Sequence, residues 1–485
     1  MHKRRFILLL GILLALLAYF PVFQFLGKQP YRLWDESRQA FNAYEMYNNH
    51  KYLVTYFEDQ PDMWNTKPPL LIWLQVVSMK IFGVGEFALR FPSAVAGFLA
   101  CMILYYFCAR FLKKPLLGFC AGLVLVSFNG FVEYHVTRTG DYDALLTLFD
   151  LVALLSFFVY LDKKSTSALY FTFAGLILAS LTKGIAGLMF VPAMLFAVLY
   201  FKSLKDLLTN KHFYIGICSF VLFVGGYYYA REIVNPGYLK AVAENELGGR
   251  FLSTIEQHRH DFIYYFENMR DWQLGYWLLL IPAGILTSWF SPKSRERNFL
   301  LFATFSALIF LFIISISKTK LAWYNVPSFP LFALTIAAFL VYICDLLRGI
   351  ENTSILRKSV LPAVFIFIVA LPAYKGIVNK TYQEKEFDWN QEEFRIGYYL
   401  RDLLKGKEEV KEPLFVLFDG YPYHLTIYNR MLKDRGITSR WIKDEDLHSG
   451  MLVVLSQNAV DERLRKNNQV ELLRQIDVLR LYRIK

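Results

Sequence analysis

Long apolar segments are the feature that most constrains how this chain folds. A helix needs about 20 mostly apolar residues to cross the hydrocarbon core of a bilayer. Segments near that length lie at about residues 6–26, 88–110, 115–134, 144–161, 166–182, 184–201, 212–230, 272–290, 298–316, 323–346 and 359–377. Hydrophobic residues make up 55% of the chain, which is too apolar for an ordinary soluble protein. The sequence therefore predicts an all-α polytopic membrane protein with about 11 transmembrane helices.

Basic residues predict how these helices are oriented, because Lys and Arg are enriched in short cytoplasmic loops. The loops assigned to the cytoplasm hold Lys3, Arg4, Arg5, Arg110, Lys113, Lys114, Lys163, Lys164, Lys202, Lys205, Lys211, Lys293, Arg295, Arg297, Arg348, Arg357 and Lys358. The short outer loops hold only Arg138, Lys183, Lys318 and Lys320. The net charge of +12 thus follows membrane topology, and we expect no nucleic-acid partner.

Two apolar segments have a second interpretation. Residues 1–26 resemble a signal peptide, but the apolar run continues to Leu26 without a small-x-small cleavage site, which favours an uncleaved first span. Residues 70–83 are short for a crossing helix and contain Lys80. If they crossed, every later basic loop would change sides. We therefore predict an interfacial or re-entrant helix that begins after Pro68-Pro69.

This topology brings the unusual polar connections to one face. Residues 27–69, 135–143 and 231–271 all fall outside. The parity of the spans also places residues 380–485 there, as a soluble domain that follows a transmembrane domain of residues 1–379. Strand patterns near 414–418, 451–455 and 478–484, with helical patterns at 391–405 and 460–475, predict a small α/β fold for it.

The most polar outer motif is Asp35-Glu36-Ser37-Arg38, at the start of a helical periodicity over residues 34–48. One face carries Ser37, Ala40, Phe41, Tyr44 and Tyr47, and we expect it to press into the lipid headgroups. The opposite face carries Asp35 and Arg38 and would line a cavity. The alternative is an ordinary surface ion pair at i, i+3 spacing.

Several cations share the outer face with this acidic pair. Lys67 precedes two prolines, which fix the backbone and hold its ammonium group in place. Lys183 lies in a very short outer turn, and Lys320 with Tyr324 repeats that arrangement. Each lysine alone is equally consistent with a side chain that snorkels to the headgroups. Gathered on one face, they favour an anion-binding site.

Two acidic positions in the outer connections have further interpretations. Asp143 opens the fourth span, where helix capping alone would explain it. Glu246 and His258 lie in the long connection 231–271, and a divalent metal held by them is conceivable, although no HExxH spacing is present. A mobile loop that closes over a substrate is the favoured interpretation.

Together these residues resemble the lipid-linked-sugar glycosyltransferases of the GT-C class. The closer resemblance is to the bacterial branch related to protein O-mannosyltransferases and lipid A aminoarabinose transferases. The motifs that carry it are Asp35-Glu36-Ser37-Arg38, Lys67-Pro68-Pro69-Leu70 with Trp73, Phe82-Gly83, Glu86-Phe87-Ala88-Leu89-Arg90-Phe91-Pro92-Ser93, Asp143, Thr182-Lys183-Gly184 and Lys320-Leu321 with Tyr324 and Pro327.

The resemblance implies roles for individual residues. The catalytic candidates are Asp35, Glu36 and Asp143, with Asp35 nearest the reacting sugar. The candidates for binding the lipid phosphate of the donor are Arg38, Lys67, Arg138, Lys183, Lys320 and Tyr324. Two positions depart from the family pattern, because Thr66 stands where a metal-binding carboxylate is expected and Glu246 falls near an expected histidine. No cofactor is therefore assigned, and a divalent metal stays open.

The function that the resemblance implies is sugar transfer from a polyprenyl phosphate to a lipid A, glycan or protein acceptor. It would take place at the outer, periplasmic face of a bacterial inner membrane and would invert the anomeric centre. A transporter or flippase of lipid-linked sugars is the alternative. Transporters favour charged groups at mid-membrane and paired broken helices, whereas here the charges gather at one face and no internal repeat is visible.

Overall fold

The structure is a computed structural model of the 485-residue chain, and it describes residues 2–133, 135–252, 259–349, 355–381, 386 and 388–485. Among these residues, eight helices are long and apolar enough to cross a membrane: Arg4–Phe23, Glu86–Arg110, Asp143–Lys163, Thr166–Leu188, Lys211–Val234, Arg295–Ile316, Ala322–Arg348 and Val360–Thr381. Shorter apolar helices are Leu70–Phe82, Pro115–Val126, Val191–Tyr200 and Gly275–Phe290. Every predicted span overlaps one of these helices, which confirms the helical membrane fold, but the helices Pro115–Val126 and Val191–Tyr200 are several residues shorter than the spans predicted at 115–134 and 184–201. The number of crossings stays a prediction.

Close helix packing brings the ends of two membrane helices together. The helices Asp143–Lys163 and Thr166–Lys183 run antiparallel and are joined by a short turn at Lys164. A Cβ atom on Gly175 would lie 2.8 Å from the backbone oxygen of Phe149, so only glycine permits this approach. Asp143 and Lys183, at the far ends of the two helices, therefore lie side by side.

The outer connection 27–69 forms a helix, Asp35–Asn49, and a two-residue hairpin of β1 (Tyr56–Phe57) and β2 (Gln60–Pro61). The prediction that one helix face presses into lipid headgroups is wrong. Ala40, Phe41 and Tyr44 on that face are buried in protein. They pack on the C-terminal domain, because that domain covers the apolar face that lipid would otherwise cover.

The C-terminal domain is α/β, as predicted. Its strands are β3 (Leu414–Leu417), β4 (Ser439–Ile442), β5 (Leu452–Leu455), β6 (Val470–Ile476) and β7 (Leu479–Ile484). They form one sheet with the order β4-β3-β5-β7-β6. Strand β3 pairs in parallel with β4 and β5, while β7 pairs antiparallel with β5 and β6. The helices are Asp388–Leu404, Tyr423–Asp434 and Asn458–Asn467.

The predicted helix over 460–475 is only half correct. The helix Asn458–Asn467 ends early, and the residues that follow form strand β6, which pairs with β7 through a tight turn at Asp477. Glu, Leu, Arg and Gln in this stretch have good helix propensity, but pairing with a neighbouring strand overrides a local preference of this size.

The C-terminal domain and the outer helices share one hydrophobic core. Ile396, Leu400 and Leu432 from the domain pack in the same cluster as Phe41 and Met79. Because this interface is apolar and continuous, the domain is held against the Asp35–Asn49 and Leu70–Phe82 helices.

Candidate active site

A cavity of about 470 Å³ lies between the membrane helices, near the helix ends that carry Asp143 and Lys183. Its apolar wall is formed by Leu146, Ile185, Ala186, Leu188, Met189, Phe310, Ile313 and Ile314. Its polar lining residues are Lys67, Asp143, Lys183, Glu246, Ser317, Thr319 and Tyr324. Asp143, Lys183 and Ser317 lie at helix ends, so the polar groups gather at the mouth. The cavity thus joins an apolar channel to a charged opening.

Lys183 is held at this mouth by Asp143. Its Nζ lies 2.6 Å from Asp143 Oδ1, and both side chains are buried. The ammonium also lies 4.9 Å from the centre of the Tyr324 ring, a cation–π contact. A buried cation needs such partners, because an unpaired charge is very costly to desolvate.

Lys67 forms the other cationic side of the mouth. Its Nζ lies 3.6 Å from Glu246 Oε1 and 5.6 Å from the centre of the Tyr142 ring. The Thr66 hydroxyl donates to the same Glu246 oxygen at 3.3 Å. The two positions that depart from the family pattern, 66 and 246, therefore meet in space. An ammonium group beside the single carboxylate disfavours a dication there. His258, the second predicted ligand, lies outside the described residues.

Asp35 belongs to a cluster that the sequence reasoning missed. His135 Nδ1 lies 3.4 Å from Asp141 Oδ2 and 4.0 Å from Asp35 Oδ2. The His135 ring stacks on Trp323 at a centroid distance of 3.6 Å, which fixes its plane. Burial opposes a charged imidazole, but Asp141 and then Asp35 outweigh burial and raise the pKa of His135.

One donor atom from each of these three residues lies within 4.8 Å of the others, so the cluster could hold a divalent cation. A protonated His135 would offset one of the two carboxylate charges. In the sequence, the cluster is marked only by a histidine six residues before Asp141, and that spacing alone does not predict that the two side chains meet.

Glu36 lies next to Asp35 in sequence but points into the protein. It accepts hydrogen bonds from Arg90 Nε at 2.7 Å and Arg90 Nη2 at 2.9 Å. It also accepts from the backbone N–H groups of Arg32 at 2.8 Å and Gly140 at 2.9 Å. Burial opposes its ionisation, but Arg90 and these donors outweigh burial and lower the pKa of Glu36. Glu36 thus ties the Asp35 helix to the connection that carries Asp141.

The other three predicted donor-binding cations are not among the residues that line the cavity. Arg38 makes a two-bond ion pair with Asp62, at 3.0 and 2.6 Å, between the rings of Phe57 and Trp64. Arg138 donates to the backbone oxygen of Pro21 at 2.8 Å. The Lys320 ammonium donates to the backbone oxygens of His260 and Ser317, at 2.9 and 2.6 Å. These contacts stabilise the loops around the site.

The two parts of the site interact electrostatically. The Asp35 carboxylate acts on Lys183, and Asp143 acts on His135. Lys67, Asp143, Lys183 and Tyr324 thus surround one opening, as the sequence suggested, and Asp35 lies beside it with the His135 cluster. The whole arrangement is one acidic and basic centre at the end of an apolar cavity.

The fold resembles those of two proteins of known structure. ArnT from Cupriavidus metallidurans, solved bound to undecaprenyl phosphate, superposes with a TM-score of 0.70 and 16% identity over 98% of this chain and 97% of that one. The oligosaccharyltransferase AglB from Archaeoglobus fulgidus, solved with an inhibitory peptide and a dolichol-phosphate, gives a TM-score of 0.55 and 14% identity. It covers 88% of this chain and 64% of that one.

Sequence comparison also finds similar proteins. Residues 66–228 match the family model described as dolichyl-phosphate-mannose-protein mannosyltransferase. The undecaprenyl phosphate-alpha-4-amino-4-deoxy-L-arabinose arabinosyl transferase of Aeromonas hydrophila is 29% identical over 344 residues, which span 69% of this chain and 60% of that protein. The enzyme of the same name from Yersinia pestis is 27% identical over 387 residues, 77% of this chain and 68% of that one. These matches confirm the predicted resemblance to polyprenyl-phosphate-sugar transferases.

Proposed function

We propose that this protein transfers a sugar from a polyprenyl phosphate of the undecaprenyl type to an acceptor at the outer face of a bacterial inner membrane. The observation that carries the proposal is the cavity whose apolar wall ends at Lys67 and Lys183. An isoprenoid chain fits the apolar part, and a phosphate anion fits the cationic mouth. The relatives named above support this substrate class, since their names include undecaprenyl phosphate and dolichyl phosphate.

The donor phosphate would lie between the ammonium groups of Lys67 and Lys183. Asp143 keeps Lys183 charged and oriented through their 2.6 Å contact. The Lys67 Nζ atom lies farther from its own partner, at 3.6 Å from Glu246 Oε1. The phosphate would therefore displace the Glu246 carboxylate from Lys67. Tyr324 closes one side of the mouth.

The reaction would be a direct displacement at the anomeric carbon. The acceptor oxygen forms a bond to that carbon from the face opposite the phosphate, while the bond from carbon to phosphate oxygen breaks and its electron pair stays on the phosphate. The configuration therefore inverts. The phosphate gains negative charge as it leaves, and preorganised cations in a dry site stabilise such charge by about 3 kcal/mol each.

Asp35 is the candidate base for a hydroxyl acceptor, because its side chain is one-third exposed and faces the same centre as the lysines. It would take the acceptor proton as the new bond forms. Glu36 would act as a positioning residue, since its contacts fix both Asp35 and the loop of Asp141. A divalent cation held by Asp35, His135 and Asp141 would add electrostatic stabilisation of the developing charge.

The test is to incubate the purified full-length protein with undecaprenyl-phosphate sugars and membrane extract, and to identify products by mass spectrometry. We expect a sugar-bearing acceptor from the wild type and none from Asp35→Asn. Thermal unfolding curves of the two proteins should show that both are folded. Asp446→Asn, an exposed position in the C-terminal domain, is the matched control and should remain active. Full activity of Asp35→Asn would remove Asp35 from the mechanism.

The transporter alternative makes a different prediction. A flippase would move the lipid-linked sugar between leaflets of a proteoliposome without forming a glycosylated acceptor. The curated relatives named above are transferases by name. If translocation occurs and no donor yields a glycosylated product, the proposed function fails.

A further inference from the structure

Trp34, immediately before Asp35, has an unusual backbone conformation. Its φ is 62° and its ψ is −116°, a region that a residue with a bulky side chain seldom adopts. Such a conformation costs about 1–3 kcal/mol, and glycine would adopt it without that cost. The carbonyl of Trp34 begins the helix by accepting hydrogen bonds from the Ser37 hydroxyl and the Arg38 amide. The turn therefore fixes the indole at the start of the Asp35 helix.

The indole does not enter the core. Trp34 is 53% exposed, and its ring stacks on Tyr421 of the C-terminal domain, with 4.4 Å between centroids and 19° between planes. Tyr423 then meets Tyr421 edge to face at 4.6 Å. We call these three residues the aromatic platform. It is built from both domains and adjoins the candidate base.

The position of Tyr421 in its own domain also indicates a ligand. It follows strand β3, whose parallel neighbours β4 and β5 lie on its two sides. The chain leaves β3 in one direction to form β4 and returns to form β5 on the other side. The crevice at the carboxyl ends of such strands is the usual binding position in α/β sheets. Here that edge points toward Asp35.

Polar groups border the platform where a sugar would need them. The Arg38 guanidinium interacts electrostatically with the Tyr421 side chain, and the Asp35 side chain is one-third exposed. Trp64 is 39% exposed and lies over Arg38 at 4.6 Å, which extends the aromatic surface. Flat rings with hydroxyl and guanidinium groups at their edges suit a pyranose, whose C–H face packs on a π face and whose hydroxyls bond at the rim.

We propose that the aromatic platform of Trp34, Tyr421 and Tyr423 binds the acceptor, and that the acceptor is a saccharide. The inference rests on the proposed function and narrows its acceptor to one class. A ring seated on Trp34 presents a hydroxyl to the Asp35 carboxylate in the next residue. Stacking on Tyr421 places Trp34 at the junction of the two domains, so we favour a sugar over a bilayer headgroup.

The test uses Trp34→Gly, which removes the ring and relieves the backbone strain, so this variant should fold at least as well as the wild type. Binding of N,N′-diacetylchitobiose is measured by saturation-transfer NMR on protein in nanodiscs, because sugar-headed detergents would compete. We expect binding to the wild type, at least a tenfold loss in Trp34→Gly and Tyr421→Ala, and partial retention in Trp34→Phe. Unchanged binding in Trp34→Gly would overturn the proposal, as would wild-type protein that binds a serine-containing peptide but no disaccharide.

Kinetics separate this inference from the proposed function. With an undecaprenyl-phosphate sugar as donor and lipid A, a disaccharide lipid, as acceptor, Trp34→Gly should raise the acceptor KM at least tenfold and leave the donor KM within twofold. If the wild type is active and Trp34→Gly has the same acceptor KM, the platform proposal is wrong and the proposed transfer reaction still holds. An inactive wild type that still binds chitobiose through Trp34 defeats the proposed transfer reaction and leaves the saccharide site standing.

Discussion

The buried ion pair between Glu36 and Arg90 yields the sharpest prediction about stability. Both side chains are almost fully buried, at 1% and 3% exposure, and two hydrogen bonds of 2.7 and 2.9 Å join them. Arg90 also donates to the backbone oxygens of Leu26, Gln29 and Pro30. Arg90→Met would leave the buried Glu36 carboxylate with two backbone donors, the N–H groups of Arg32 and Gly140.

The expected loss follows from the charge left behind. Removing one partner of a buried pair costs about 3–5 kcal/mol, mostly because the remaining charge is uncompensated. We therefore expect Arg90→Met and Glu36→Gln each to lower the free energy of unfolding by about 3–5 kcal/mol. The double variant Glu36→Gln/Arg90→Met should lose less than the sum of the two, since removing the first charge already removes the attraction.

The chain provides a matched control for this cycle. Arg474 and Glu408 make the same two-bond geometry at 2.6 and 3.0 Å, but the Arg474 side chain is 47% exposed. Arg474→Met should lower the free energy of unfolding by less than about 1 kcal/mol. Equilibrium unfolding of the full-length variants in mixed micelles measures all four. A buried pair that costs no more than the exposed pair, or strict additivity in the double variant, would refute the reasoning.

Three further predictions use other parts of the structure. Glu246→Gln should tighten undecaprenyl phosphate binding about fivefold, because it removes a carboxylate 3.6 Å from Lys67, worth about 1 kcal/mol; weaker binding in a titration would contradict this. Gly97→Ala should lower the free energy of unfolding by about 1–3 kcal/mol, because the added Cβ would lie 2.2 Å from the Thr137 methyl group. Adding Thr137→Ser, which removes that methyl group, should restore part of the lost stability in thermal unfolding. Burial lowers the pKa of His424 from 6.5 to about 4, so between pH 6.5 and pH 4 the imidazole gains a proton mainly in the unfolded state. The free energy of unfolding should therefore fall by about 2 kcal/mol from pH 7 to pH 5. His424→Gln should lack this pH-dependent loss, and an equal fall in that variant would exclude His424 as its cause.

The sequence predicted the parts of the molecule that depend on local pattern. Apolar length located the membrane helices, and the spacing of Asp35, Lys67 and Lys183 within outer connections indicated a shared site. Proline before residue 70 predicted where the Leu70–Phe82 helix begins. These features depend on neighbours in the chain, so the linear pattern contains them.

The parts that were missed depend on contacts between distant segments. Glu36 meets Arg90 across 54 positions, and Asp35 meets His135 only because the two connections fold together. The apolar face of the Asp35 helix is covered by a domain that begins more than 300 residues later, so its pattern resembled that of an interfacial helix. Strand β6 forms against its local helix propensity because β7 pairs with it.

The most direct test of the central claim is the affinity for undecaprenyl phosphate of Lys67→Met compared with Lys51→Met. Lys51 is an exposed lysine on the same outer connection and serves as the matched control. A charge-assisted contact to the phosphate contributes about 1.5–3 kcal/mol, so Lys67→Met should raise the Kd at least tenfold while Lys51→Met leaves it unchanged. Equal Kd values for wild type and Lys67→Met would contradict the assignment of the cavity mouth as the donor phosphate site.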